Sequence, residues 1–136
     1  MSVPAEFEPL NPSPFTELIG PVYIRHAESA PVLGLRVAGE HANRRGRAHG
    51  GLLMTLADIA VSRAAAAQVP PGAMFATADL HISFLESVAE GQWLEAVPSL
   101  DRLGRALIHA SCELRAEGHL SARVLATIAV RLPVPD

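Results

Sequence analysis

Residues 46–67 read GRAHGGLLMTLADIAVSRAAAA, and this stretch decides the fold. From Leu52 to Ala67 it has neither Gly nor Pro and is rich in helix-forming residues, so it predicts about four turns of helix. Thr55, Asp58 and Ser62 share one polar stripe, and nearly all other positions are apolar. A helix that is apolar on almost every side is typical of a buried central helix.

Asp58 is a carboxylate two turns into this helix. Burying a carboxylate is costly unless it is paired or hydrogen-bonded, so its presence needs an explanation. One explanation is chemistry. The other is a structural Asp that is satisfied by Thr55, Ser62 or Arg63, and the helix residues leave both explanations open.

Gly50 and Gly51 stand where the helix begins. The first amides of a helix have no partner within it and carry partial positive charge, and glycine lets a ligand approach the backbone. The two residues therefore suit an oxyanion or a polarised carbonyl, although they can also simply form a tight turn. His-Gly-Gly is a weak signal by itself, and Asp58 eight residues after Gly50 makes the combination more specific.

The pattern NxxGxxHGGxxxTLAD over residues 43–58 resembles the signature of hotdog-fold acyl-CoA thioesterases, in particular the PaaI-type and thioesterase superfamily member 2 branch. The resemblance extends more loosely from Gly20 to Leu132. It implies an α+β hotdog fold, in which a curved antiparallel β-sheet wraps around a long central helix. It also implies hydrolysis of a small aryl- or medium-chain acyl-CoA to the free acid and CoA. Coenzyme A is then part of the substrate, and no separate cofactor is expected.

The resemblance gives roles to five residues of this chain. Gly50 would bind the thioester carbonyl through its amide, and Asp58 would act as general base or as nucleophile. Asn43 would hold the carbonyl or the water, unless it is an ordinary turn residue. His49 would orient the thioester or assist the leaving thiolate, unless it is structural, and its spacing predicts no metal site. Thr77 matches a position where the family often has a Ser or Thr that orients the carboxylate or the water.

The strand pattern disagrees with the resemblance about Thr77. Between Phe75 and Leu85 the residues alternate, which predicts that Ala76, Ala78, Leu80, Ile82 and Phe84 face the helix. Thr77 then falls on the opposite face with Asp79. A β-bulge or a dimer seam would reconcile the two interpretations.

The rest of the chain predicts one domain over residues 15–136, preceded by an extended, partly mobile lead-in over residues 1–14 that is rich in Pro. A short helical turn is expected from Phe15 to Ile19, stopped by Gly20-Pro21. The predicted strands cover residues 22–25, 32–38, 75–85, 92–100, 105–115 and 121–132. The last four strands, with a hairpin turn over Asp101 to Gly104, are expected to form an antiparallel meander packed on the helix.

The spacing of Gly50 and Asp58 also predicts that the chain forms an oligomer. Gly50 and Asp58 lie about 12 Å apart along one helix, which is too far to act easily on one thioester. Two antiparallel helices from neighbouring subunits remove this difficulty, and the resemblance also places such sites at a dimer interface. We therefore expect a homodimer or a dimer of dimers.

Coenzyme A carries phosphates, so cations are expected near the site. The candidates are Arg44, Arg45 and Arg47 beside the His-Gly-Gly motif, and Arg102 and Arg105 beside the predicted 101–104 turn. Alternatively, each of these arginines is an ordinary solvated surface residue that does not contact CoA.

Composition excludes several classes of function. The net charge of the 136 residues is −3 and no long basic run occurs, so nucleic acid is not an expected partner. The sequence has neither an apolar run that predicts a membrane span nor a signal-peptide pattern, and the single cysteine, Cys112, fits a cytoplasmic protein. All 11 basic residues are Arg, which excludes Schiff-base chemistry on a Lys.

Two other functions remain alternatives. A hotdog hydratase or dehydratase is disfavoured, because the chain has neither an Asp-x-Asn motif nor a Glu on the central helix. A non-catalytic acyl-CoA-binding protein or scaffold is disfavoured by the joint presence of Asn43, Gly50 and Asp58.

Overall fold

The structure is a computed structural model that describes residues 2–134. Its centre is helix α2 (Gly50–Ala66), close to the predicted range. The face of α2 toward the sheet is apolar and buried, and it consists of Leu52, Leu53, Leu56, Ala57, Ala60, Val61, Ala64 and Ala65. The opposite face is half-buried or exposed, so the prediction of a helix buried on almost every side is wrong for the single chain, in which the sheet covers only one face.

One antiparallel sheet of seven strands packs against α2. The strands are β1 (Glu8–Pro9), β2 (Tyr23–Arg25), β3 (Val32–Arg36), β4 (Met74–Phe84), β5 (Trp93–Leu103), β6 (Leu107–Ala116) and β7 (His119–Arg131). Their order across the sheet is β1-β2-β3-β5-β6-β7-β4. This one long helix against a single antiparallel sheet is the α+β hotdog architecture that the sequence predicts.

The prediction of a four-strand meander in chain order was wrong for β4. Strands β5, β6 and β7 do form a meander, but β4 pairs with β7 and not with β5. The segment between β4 and β5 crosses one end of the helix instead of making a hairpin. It is fixed there by the buried side chain of Val88 and by a hydrogen bond from the Ala48 N–H to the Val88 carbonyl.

The alternation predicted for β4 was wrong in its first half. The register with β7 shifts between Thr77 and Asp79, so Ala78 is an extra residue in the ladder. Ala76 and Ala78 are exposed, whereas Thr77 is half-buried beside α2. After the bulge the predicted phase holds, because Leu80 and Ile82 pack against the core.

The hairpin turn predicted over Asp101 to Gly104 was also misplaced. Strand β5 continues to Leu103, and the chain reverses over residues 104–106, where the Gly104 N–H donates to the Leu107 carbonyl. A register shift between Leu100 and Arg102 absorbs Asp101 as an extra residue. The bulge therefore sits where the sequence suggested a turn.

The N-terminal segment is packed against the sheet. Strand β1 pairs with β2, and the ring of Phe7 lies 5.1 Å from that of Trp93. The short helix α1 (Pro14–Ile19) begins at Ser13, whose side chain caps it. Met1 of the predicted lead-in and residues 135–136 of the predicted domain lie outside the described residues. Within residues 2–134, no helix is long and apolar enough to cross a membrane.

Candidate functional site

Asp58 lies on the half-buried face of α2 and is held by strand β4. The Thr77 hydroxyl donates a hydrogen bond to Asp58 Oδ1 over 2.5 Å. The bulge at Ala78 is what turns Thr77 toward the helix, which resolves the disagreement about this residue. A carboxylate that accepts one hydrogen bond at one oxygen keeps acceptor capacity for a water or a substrate.

The three structural partners that the helix sequence suggested for Asp58 are not its partners. Thr55 donates instead to the Gly51 carbonyl one turn earlier, at 2.9 Å. No hydrogen bond or ion pair within residues 2–134 joins Asp58 to Ser62 or Arg63. Asp58 is thus positioned across two elements rather than within its own helix.

His49 is the N-cap of α2. Its Nδ1 accepts a hydrogen bond from the Gly51 N–H at 3.0 Å, so Nδ1 carries no proton and the neutral ring carries its proton on Nε2. The Gly51 amide, which the sequence offered as a second oxyanion donor, is therefore occupied. The Gly50 N–H donates to no acceptor among residues 2–134, so it remains available to a ligand.

Asn43 organises the loop that leads into α2. Its Oδ1 accepts from the Arg45 N–H at 2.9 Å and from the Arg47 N–H at 3.1 Å. Its backbone N–H donates to the Arg47 carbonyl at 2.6 Å. Asn43 therefore does act as a turn residue, which the sequence left open. Its Nδ2 group remains available as a hydrogen-bond donor.

Gly50 lines a cleft of about 570 Å³. Its walls are Asn43, Arg45, Arg47, Ala48, Gly50 and Leu53 on one side and residues 84–88 on the other. The Phe84 ring packs so close to Gly50 that a Cβ at position 50 would lie 2.8 Å from Phe84 Cζ. The sequence did not identify this wall as part of the site. Alternation placed Phe84 on the strand face toward the helix, and its ring does lie against Gly50, although the residue is exposed.

The five candidate arginines fall into different places. Arg45 and Arg47 line the cleft, whereas Arg44 is exposed and does not line it. Arg102 and Arg105 are exposed near the β5–β6 turn. That turn is beside the Arg131 end of β7, because the Val130 N–H donates to the Ala106 carbonyl, so it lies at the end of the sheet away from Phe84.

Asp58 does not line the cleft at Gly50. It lines a separate pocket of about 300 Å³ on the outer face of α2. The chain thus places Asp58 beside Thr77, and Asn43, His49 and Gly50 at the helix start, but it does not bring the two groups together. The eight residues between Gly50 and Asp58 keep them about 12 Å apart along the axis.

Cys112 is not a candidate nucleophile. Burial raises the pKa of its thiol to about 12, and the side chain is 2% exposed. No cluster of three or more His, Cys, Asp or Glu side chains that could hold a metal ion occurs among the described residues.

The chain is similar to known proteins over most of its length. The family model described as "Thioesterase superfamily" matches residues 45–122. The Pseudomonas aeruginosa protein "Putative esterase PA0474" is 38% identical over 124 residues, which are 90% of this chain and 92% of that protein.

Two solved structures resemble the chain over most of its length. A mutant of the phenylacetic acid degradation protein PaaI from Thermus thermophilus is 27% identical with a TM-score of 0.78, over 86% of this chain and 98% of its own. Zebra fish thioesterase superfamily member 2 is also 27% identical, with a TM-score of 0.75, over 85% and 86% of the two chains.

Proposed function

Because the chain belongs to the thioesterase superfamily and is a thioester hydrolase, we propose that it hydrolyses the thioester of an acyl-CoA, with Asp58 and the Gly50 amide as its catalytic groups. The observation that carries the proposal is a carboxylate held by Thr77 together with a free helix N-terminal amide at a cleft. The acyl group is a small aryl or medium-chain group.

The reaction follows from these two groups. The thioester carbonyl oxygen accepts a hydrogen bond from the Gly50 N–H, which stabilises the negative charge that develops on attack. Asp58 takes a proton from a water as that water attacks the carbonyl carbon, or attacks directly to form an anhydride that water then cleaves. In both routes the C–S bond breaks and CoA leaves as the thiolate, which then takes up a proton. Because Thr77 donates to Oδ1 of Asp58, Oδ2 is the oxygen that remains free for the reaction.

Asn43 and His49 have supporting roles in the proposal. Since Asn43 Oδ1 holds the loop, its Nδ2 group is the part that can donate to the substrate carbonyl. His49 lines a separate pocket with Gly51 and Thr55 and not the Gly50 cleft. Within the proposal it donates to the thioester or to the leaving thiolate through Nε2–H, because Nδ1 caps the helix.

The catalytic pair requires a second copy of the chain. One subunit supplies Asp58 with Thr77, and the partner supplies Gly50 with the cleft. Strand β4 supports this arrangement, since it is the last strand of the sheet and its outer edge pairs with no strand in the described part of the chain. Two β4 strands that pair antiparallel about Asp79, the middle residue of β4, would bring Thr77 of one subunit toward the Phe84 end of the partner. A homodimer or a dimer of dimers follows.

A hydrolysis assay tests the proposal. The purified protein is offered a panel of aryl- and medium-chain acyl-CoAs, and release of the CoA thiol is followed with a thiol reagent. We expect turnover of at least one substrate well above the enzyme-free rate. Binding of acyl-CoA without release of the thiol would contradict hydrolysis and favour a non-catalytic binder.

We expect substrate affinity to depend on salt through the arginines of the cleft. The protein has a net charge of −3, so attraction of the CoA phosphates must be local. The double change Arg45→Gln and Arg47→Gln should raise KM severalfold, leave kcat nearly unchanged and weaken the salt dependence of KM. A pantetheine thioester without the nucleotide should not respond. If Arg102→Gln with Arg105→Gln raises KM instead, the phosphates bind at that end of the sheet.

A further inference from the structure

The pocket at Asp58 has a chemical character of its own. Its six lining residues are Asp58, Ile59, Ser62, Arg63, Ala66 and Phe75. Ile59, Ala66 and Phe75 supply apolar surface, and Phe75 stands on β4 two residues before the Thr77 that holds Asp58. A group bonded to a carbonyl at Asp58 can therefore extend along α2 toward its C-terminal end.

Arg63 lines this pocket and is itself exposed. Among the ion pairs formed within residues 2–134, none involves Arg63. Asp58, which shares the pocket, accepts its hydrogen bond from Thr77 instead. A guanidinium can bind a carboxylate through two parallel hydrogen bonds. Arg63, in a partly apolar pocket and without an ion-pair partner among residues 2–134, therefore suits a ligand that carries a carboxylate.

We propose that this pocket binds the acyl group and that Arg63 recognises a carboxylate at its far end, so that the preferred substrate is the CoA monothioester of a dicarboxylic acid. This inference rests on the proposed function. Asp58 and Arg63 line the same pocket, and Arg63 follows by five residues, a rise of about 7.5 Å along the helix axis. A saturated chain of about six carbons has a comparable length. The Ser62 hydroxyl is a further donor for the same carboxylate.

A structural role for Arg63 makes a different prediction. Arg63 lies in the last turn of α2, where a cation interacts favourably with the helix dipole. Loss of that interaction would lower thermal stability and affect every substrate alike. Recognition of a carboxylate would affect the dicarboxylic substrate alone.

The test compares two substrates of equal length, the CoA monothioester of a six-carbon dicarboxylic acid and that of the six-carbon monocarboxylic acid. The wild type should have the higher kcat/KM on the first. Arg63→Met should lower that value about 10- to 100-fold and leave kcat/KM on the second within about threefold. Arg63→Lys should recover part of the loss. Arg131→Met is the matched control, since Arg131 is exposed and lines neither pocket.

The outcomes separate the two proposals. Arg63 does not bind a substrate carboxylate if the wild type hydrolyses both thioesters without preference, or if Arg63→Met slows both equally. The proposed thioesterase function is unaffected by either result. If no acyl-CoA is hydrolysed at all, the proposed function fails and this inference fails with it.

Discussion

Asp58→Asn should lower kcat about 10²- to 10⁴-fold, while the protein folds and assembles normally. Asn keeps the size of Asp58 and still accepts the hydrogen bond from Thr77, but it can neither take up a proton from water nor attack a thioester. The loss should appear in kcat rather than in KM, because both routes use the carboxylate in the transition state. Steady-state hydrolysis of the best acyl-CoA measures it.

Asp101→Asn is the matched control for this change. Asp101 is an exposed carboxylate on β5 that lines neither the Gly50 cleft nor the Asp58 pocket, and its removal should leave turnover unchanged. Circular dichroism and light scattering should show the same fold and the same assembly for both variants. Near-wild-type turnover of a folded Asp58→Asn protein would remove Asp58 from the mechanism.

Gly50→Pro should lower kcat about 10²- to 10³-fold by deleting one N–H. Gly50 is the first residue of α2, where Pro is well tolerated. Its N–H donates no hydrogen bond to any acceptor among residues 2–134. His49 has φ −63° and ψ 138°, a conformation that a following Pro permits. The substitution thus removes the proposed oxyanion donor and no native hydrogen bond.

Gly50→Ala separates the lost N–H from the added bulk. Its Cβ meets the same Phe84 ring at 2.8 Å, so the ring must shift in both variants, but Ala retains the amide donor. We expect the loss in kcat to be less than about tenfold for Ala. Equal losses for Pro and Ala would mean that the Phe84 contact, rather than the amide, matters.

Much of the fold follows from local pattern. The apolar run without Gly or Pro predicts α2, and alternation predicts the longer strands to within a few residues. The partner of β4 could not be predicted, because pairing with β7 is a long-range choice that depends on the path of residues 85–92. The bulge at Ala78 leaves no mark in the alternating sequence, so the faces of Ala76 and Thr77 were assigned the wrong way round.

The candidate site also has residues that local sequence identifies and residues whose position depends on long-range pairing. Asp58, Gly50 and Asn43 were identified from the spacing of one continuous stretch, and the structure places them on the helix or at its entrance. Thr77 and Phe84 come from a distant strand, so their contacts with α2 depend on the fold. The family resemblance pointed to Thr77, whereas alternation placed Phe84 toward the helix but assigned it no role in the site.

The claim that one active site is built from two chains is tested most directly by mixing inactive variants. Asp58→Asn and Gly50→Pro chains with different affinity tags are co-expressed, and heterodimers are isolated by both tags in sequence. In each heterodimer one site carries both defects and the other carries neither, so about half of wild-type activity per dimer is expected. Heterodimers no more active than the two parent homodimers would contradict a shared site and place the Asp58 and Gly50 functions within one chain.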